Sequence, residues 1–353
     1  MASPTVKTIS PQVDKRVEEK EQSNESSNEA EVESSVLPVL AGFERKISRK
    51  SSAYLMKNIS GVKELNSYDE IMKAEGFLIS EEVVGTNCIG KVYKASQQMY
   101  GKESVQLAAK EIDYRKVNPC IEEHLRRFGY KILRFVNKHP FKGLVQVYDL
   151  IEIVPMNTAY IIEEMCVQNL PMIIEDEGPF NNVSVKATAH LLAEAINYLH
   201  NNGIAHQNIA PENVFRTMNR VIKLGTLEFS TIYWNPETEK PIMQKRGKER
   251  CDSKFLAPEV RKGCAYNPAK ADVFSFGALI YYMLVRKNPF DGETNENVIK
   301  ILEEEFKTAI KSDAGVEFVH ECTAQNPESR IRMHQAVKHH WFTGIPKSAP
   351  FLL

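Results

Sequence analysis

The apolar positions change period along the chain. From Phe77 to Ala95, and again from Val105 to Ile112, β-branched and apolar residues alternate with polar ones, which predicts strands separated by polar breaks. Tyr160-Ile161-Ile162 predicts a further short strand. Cys120 to Asn137 instead sets Leu125, Phe128, Ile132, Leu133 and Val136 on one face of a helix. After Pro179 the helical period takes over. Ser184 is the expected N-cap of a helix that buries Ala187, Leu191, Ala195, Ile196 and Leu199 and ends at Gly203. The run from Val273 to Val285 is apolar on every side, as a helix enclosed within a lobe would be. Strands first and helices after imply an α+β protein, with a small β-rich lobe followed by a larger α-helical lobe.

Composition sets the limits of this domain. Residues 1–42 contain no aromatic side chain and are rich in serine and acidic residues, too little apolar surface to offset the entropy of ordering. The expected organisation is a disordered acidic tail over 1–42, a basic linker over 43–75, a two-lobed domain over 76–345 and a short tail over 346–353. Within the linker, serines follow basic residues between Phe43 and Ser52, a run expected to be a solvated charged face.

Net charge is −1 across 353 residues, so no overall field gathers nucleic acid. The longest uncharged apolar run, Val273–Val285, falls short of the ~20 residues a membrane span requires. Six cysteines without a C-x-x-C pair predict reduced, mostly buried thiols and a cytoplasmic setting, with the nucleus as the other compartment compatible with it.

Several motifs then occur in a recognisable order. Gly85-Thr86-Asn87-Cys88-Ile89-Gly90-Lys91-Val92 is a glycine-containing loop between strands, and Leu107-Ala108-Ala109-Lys110 ends a strand on a lysine. His206-Gln207-Asn208-Ile209-Ala210-Pro211-Glu212-Asn213 and Ile222-Lys223-Leu224-Gly225-Thr226-Leu227-Glu228 follow. Ala257-Pro258-Glu259, Asp272-Val273-Phe274-Ser275-Phe276-Gly277 and Asn326-Pro327-Glu328-Ser329-Arg330 complete the series. Over roughly residues 76–342 the chain resembles the eukaryotic protein kinase domain. It is most similar to the calcium/calmodulin-dependent kinase group, and within that group to the testis-specific serine kinases. The resemblance implies a two-lobed kinase fold. It places Gly85, Gly90, Val92, Ala108, Lys110, Glu164 and Cys166 around an ATP pocket, and gives His206, Glu259, Asp272, Gly277 and Arg330 architectural roles, Arg330 pairing with Glu259.

The same resemblance exposes what is missing. Phosphoryl transfer requires mainly positioning and charge: a lysine on phosphate, a carboxylate and an asparagine on Mg²⁺, and a carboxylate that accepts the substrate proton. The proton-accepting position falls on Asn208, the phosphate-clamping lysine on Ala210, and the metal-binding carboxylate on Thr226. No aspartate occurs between Asp176 and Asp252, so no shift of register restores either acid. The helix carboxylate expected on Lys110 falls near Gly129 or Tyr130. The central loop glycine is Asn87, and the usually apolar position before the hinge is Glu163. Asn213 is the one metal-type ligand kept. Glu228 either reaches Mg²⁺ beside Asn213 or, the expected role, makes an ion pair or a solvent contact. Phe215 either stacks on an adenine base or, the expected role, fills the pocket, with Cys88 and Cys166 as small apolar filler beside it; His139 and His206 read as core histidines.

Loss of a general base alone costs ~10²–10⁴ in rate. The expectation is a kinase-fold protein with little or no phosphotransfer, acting as a scaffold or allosteric partner of another protein, itself a kinase or a kinase substrate. Two rivals stand beside it: an atypical serine/threonine kinase of low activity, and a module that senses ATP without Mg²⁺.

Overall fold

The structure is a computed structural model that describes residues 63–98, 104–235, 237–247, 253–288 and 300–345. The expected disordered tail over 1–42 and the basic serine run lie outside these residues. The first described segment falls inside the expected linker, yet it is built into the small lobe. Strand β1 (Lys63–Leu65) pairs in parallel with β5 (Val147–Ile153), and helix α1 (Tyr68–Glu75) follows. Lys63 fixes this addition, its ammonium 2.5 Å from Asp149 and 2.6 Å from Glu75.

The remaining strands are β2 (Phe77–Thr86), β3 (Lys91–Gln97), β4 (Val105–Asp113) and β6 (Thr158–Glu164), giving a six-stranded sheet in the order β1-β5-β6-β4-β3-β2. Both faces of this sheet are covered. Leu107, Ala109, Tyr160, Ile162 and Ile151 turn towards Ile71 of α1 and form one core cluster. Ala159, Ile161, Ile112 and Leu150 turn the other way into the main core. Burial on both faces is why β6 reads as an unbroken apolar run rather than an alternating one.

Between β4 and β5 lies the long helix of the small lobe. It is made of α2 (Pro119–His124), a π-helical turn over Leu125–Gly129, and α3 (Tyr130–Lys138). The predicted apolar face is there, but the π turn interrupts it beside the cleft.

The large lobe includes β7 (Cys166–Asn169), α4 (Leu170–Glu177), α5 (Asn182–Asn201), β8 (Ile204–Ala205), β9 (Val214–Thr217), β10 (Ile222–Leu224), β11 (Thr231–Ile232), α6 (Pro258–Arg261) and α7 (Pro268–Val285). Asn181, not Ser184, caps α5: its carboxamide oxygen accepts the amides of Val183 and Ser184 at 2.9 Å, and Ser184 is buried within the first turn. α7 is enclosed nearly throughout, as its apolar run predicts. Among the described residues no helix is long and apolar enough to cross a membrane.

Of the described cysteines, Cys322 is buried, Cys166 half-buried, and Cys120 and Cys264 exposed. Cys88 is exposed and disulfide-bonded, so it is not a buried thiol, and it lines the cleft between the lobes.

Two polar anchors hold the large lobe. Asp272 accepts the amides of His206 (2.6 Å) and Gln207 (2.7 Å) and contacts Nε2 of His200 at 2.9 Å. Arg330 has a fully enclosed side chain and donates to both carboxylate oxygens of Glu259 at 2.6 and 2.7 Å. It donates further to the carbonyls of Ala324 and Lys270, and its guanidinium lies over the ring of Phe274. Every strong donor direction of the guanidinium thus has an acceptor, the condition under which a buried ion pair is favourable. Truncating either partner as Glu259→Ala or Arg330→Ala should cost about 3–5 kcal/mol, because it leaves a buried charge unpaired. Thermal melts of the two variants check this, and unchanged midpoints in both would refute it.

Candidate functional site

Between the lobes lies a cleft of about 760 Å³. Gly85, Val92, Ala108 and Lys110 line it from the small lobe, Glu163, Glu164 and Cys166 from the connection, and Asn208, Ala210, Asn213, Phe215 and Thr226 from the large lobe. Phe215 lines the cleft without filling it. Gly90 is not among the lining residues. A Cβ at Gly90 would sit 2.1 Å from the carbonyl oxygen of Glu111, so this glycine serves close packing of the loop on β4.

The loop between β2 and β3 is closed on itself by Asn87. The Oδ1 of Asn87 accepts the backbone N–H groups of Ile89 and Gly90, both at 3.0 Å, and the amide of Asn87 donates to the carbonyl of Gly90 at 2.9 Å. Loops of this kind hold phosphate through free backbone amides. Here a side-chain oxygen has taken two of them.

Lys110 is the centre of the site. It is buried, with Nζ 2.8 Å from Oε1 of Glu228 and 3.1 Å from Oε1 of Glu163. Burial works against its charge, but the two carboxylates outweigh burial and hold the ammonium above the ordinary lysine range. For Glu163 burial is the larger effect, and the nearby Glu228 adds to it, so its pKa is raised despite the contact with Lys110.

Glu228 reaches Lys110 by a specific turn of the backbone. Thr226 adopts the left-handed conformation at φ 63° and ψ 46°, a strained choice for a β-branched residue. The chain then makes a 3₁₀ turn over Leu227–Phe229, which buries Leu227 and Phe229 and leaves the Glu228 side chain fully enclosed. Gly129 permits this arrangement. A Cβ there would stand 2.5 Å from the carbonyl oxygen of Glu228, so the small-lobe helix approaches the turn only because the residue is glycine. Tyr130, the other position on which the expected helix carboxylate could fall, instead pairs its hydroxyl with that of Tyr114, whose pKa burial pushes up to about 12.

The remaining polar groups are likewise engaged. The Nδ2 of Asn213 donates to the carbonyl of Asn208 at 2.8 Å, and its own carbonyl accepts the amide of Gly225 at 2.9 Å. Nδ1 of His206 accepts the amide of Asn208, so its Nε2–H donates to the carbonyl of Gly225 at 2.8 Å; burial keeps this imidazole neutral by lowering its pKa. Glu164 pairs with Lys223 at 2.7 Å. Cys166 has its thiol pKa raised by burial and then by Glu163 and Glu164.

Few of the groups that would hold a nucleotide triphosphate with Mg²⁺ stand at these positions. The side chain of Ala210 offers no donor, Thr226 and Asn208 offer no carboxylate, and Oε1 of Glu228 pairs with Lys110. The sequence signals the lost aspartates plainly. The pairing of Lys110 with Glu228 is not visible in it, because 118 positions separate the two residues.

Elsewhere, Glu317, His339 and His340 bring ligand-type atoms within 4.8 Å of one another. Nδ1 of His339 accepts the amide of Trp341, so the one lone pair of a neutral imidazole is already taken.

Two outcomes test the lysine cluster. Lys110→Met strands two carboxylates in the interior and should cost about 3–5 kcal/mol by thermal melt, far more than Glu163→Gln, which leaves the Lys110–Glu228 pair intact. The second is a pH dependence. A carboxyl whose folded pKa is raised keeps its proton after the unfolded chain has lost it, so stability falls as pH climbs above the ordinary value of 4.5. The stability of Glu163→Gln relative to wild type should therefore increase between pH 4 and neutrality. A decrease would mean that Glu163 is a net stabilising anion.

Comparison with known proteins gives a consistent family. The model of the protein kinase domain matches residues 78–342. Human testis-specific serine/threonine-protein kinase 3 is 27% identical over 220 residues, covering 62% of this chain and 78% of that protein. Aurora kinase of Eremothecium gossypii is 28% identical over 275 residues, covering 76% of this chain and 69% of the relative. Calcium-dependent protein kinase 5 of Plasmodium berghei is 24% identical over 270 residues, and the chain spans only 44% of its length. A kinase domain implies ATP binding in general. With its strand-built small lobe, its helical large lobe and a match across both, this chain belongs to the protein kinase domain family.

Proposed function

We propose that this chain is a kinase-fold protein that does not transfer phosphate and works by contact with another protein, as a scaffold or allosteric partner in signalling. The observation that carries the reading is the state of Lys110. The lysine that should hold phosphate is neutralised by Glu163 and Glu228, while positions 208 and 226 supply no carboxylate for proton or metal. The serine/threonine kinases among its relatives suggest the partner class, a kinase or a kinase substrate. An allosteric role requires different contact with two states of that partner, not chemistry.

A second reading rests on the cleft itself, which remains open at about 760 Å³ and keeps Val92 and Ala108 on its roof. On this reading the domain senses a nucleotide without Mg²⁺.

One experiment separates these from an active kinase: a thermal melt of the full chain with ATP, with ATP plus Mg²⁺, and with neither, alongside a radiolabel transfer assay on myelin basic protein. A ligand at 100 times its dissociation constant adds about 2.7 kcal/mol. The expected result is no Mg²⁺-dependent shift and no transfer above background. A shift with ATP alone would favour the sensing module. A Mg²⁺-dependent shift with transfer would restore the enzyme.

A further inference from the structure

The charges around the cleft do not balance for an anionic ligand. Counting the lining residues with their direct ion-pair partners, carboxylates at Glu163, Glu164, Glu212 and Glu228 face ammonium groups at Lys110, Lys223 and Lys254. The surplus is concentrated at the back, where Glu163 and Glu228 share the single cation Lys110. Glu228 is fully enclosed and its Oε2 has no hydrogen-bond partner among the described residues, whereas Glu163 keeps 13% of its side chain exposed and lines the cleft. A buried carboxylate in excess of its counter-ions favours a positive partner.

The groups that would greet a phosphate are consumed in the same place. Asn87 has taken the loop amides and the carboxylates have taken Lys110. What remains is a cleft of a size suited to a small molecule, about 760 Å³, with Val92 and Ala108 on one side and Phe215 on the other. Phe215 adds an aromatic face, on which a planar cation gains further attraction.

We infer that the cleft receives a small planar cation carrying no phosphate, of the protonated amino-heterocycle or amidinium class, whose N–H donors meet the carboxylate of Glu163. The inference rests on the reading above in one respect, that Mg²⁺-ATP is not the resident ligand. Specificity in such a site comes from charge at the back and shape along the walls. An anionic nucleotide is rejected by the carboxylates, and a neutral ring of the same shape forgoes the ion pair.

The test uses the full chain with two probes of nearly equal shape, 9-aminoacridine, which is cationic at neutral pH and fluorescent, and acridine, which is neutral. Binding is followed by fluorescence for the first and by competition for the second. The cation should bind at least about tenfold more tightly, the ratio that one favourable pairing of about 1.4 kcal/mol produces. Glu163→Gln should bring 9-aminoacridine to the acridine level. Glu228→Gln, which touches no ligand but removes the surplus charge, should do the same, and circular dichroism of both variants should match wild type. Equal affinity for the two probes overturns the inference, as does a preference for the cation that survives in both variants. Displacement of 9-aminoacridine by Mg²⁺-ATP overturns the inference together with the reading beneath it, whereas absence of discrimination without such displacement overturns the inference alone.

Discussion

An ammonium enclosed between two lobes must find a carboxylate, and the element that supplies it fixes the geometry around it. Lys110 draws its main partner from the segment after Thr226, and the other features of the cleft follow from that choice. To bring Glu228 upward, the backbone must turn at Thr226 into the left-handed region, at a cost of order 1–3 kcal/mol. The following 3₁₀ turn then occupies the space in front of the small-lobe helix. The helix yields at its π turn and presents Gly129 where a side chain would collide with the turn. Burial of Leu227 and Phe229 in the main core offsets the strain.

A site that satisfies its own polar groups differs physically from one waiting for a substrate. Catalytic clefts hold donors and charges preorganised around absent charge, and the fold carries that expense. Here Oδ1 of Asn87 stands in for a phosphate oxygen on the loop amides, and the carboxylate of Glu228 stands in for one on the lysine. The Nδ2 of Asn213 donates to the backbone carbonyl of Asn208. Internal acceptors have replaced external ones. The large-lobe anchors are another matter: Asp272 and Arg330 bind backbone and buried side chains whether or not phosphate moves, so their roles do not depend on the chemistry.

Legibility of these features in the sequence divides along the range of the interactions. Period and composition reveal β2 to β4, β6, the small-lobe helix, α5 and α7, because burial of one face or of all faces writes itself locally. β1 and α1 are absent from that reading: a three-residue strand carries little pattern, and it exists because β5 offers a free edge and Asp149 receives Lys63. The cap of α5 falls on Asn181 rather than Ser184 because both are good capping residues and only the turn geometry separates them. The loss of carboxylates at 208 and 226 is plain in the sequence, whereas the capture of Lys110 by Glu228 is not. Its one local trace is the pairing of a glycine at 129 with an acid at 228, which acquires meaning only once the helix and the turn are seen in contact.

The position before the hinge completes the argument. A carboxylate at residue 163 would be an unpaired buried charge if Lys110 held a carboxylate from the small-lobe helix and faced a nucleotide. With Glu228 already on Lys110, Glu163 is a second acid on one base, and burial first and the neighbouring Glu228 after it raise its pKa. Charge neutrality at the back of the cleft is then reached in one of two ways, by a proton on Glu163 or by a cation beside it. In either state the acid at 163, the glycine at 129 and the acid at 228 express a single electrostatic constraint around Lys110.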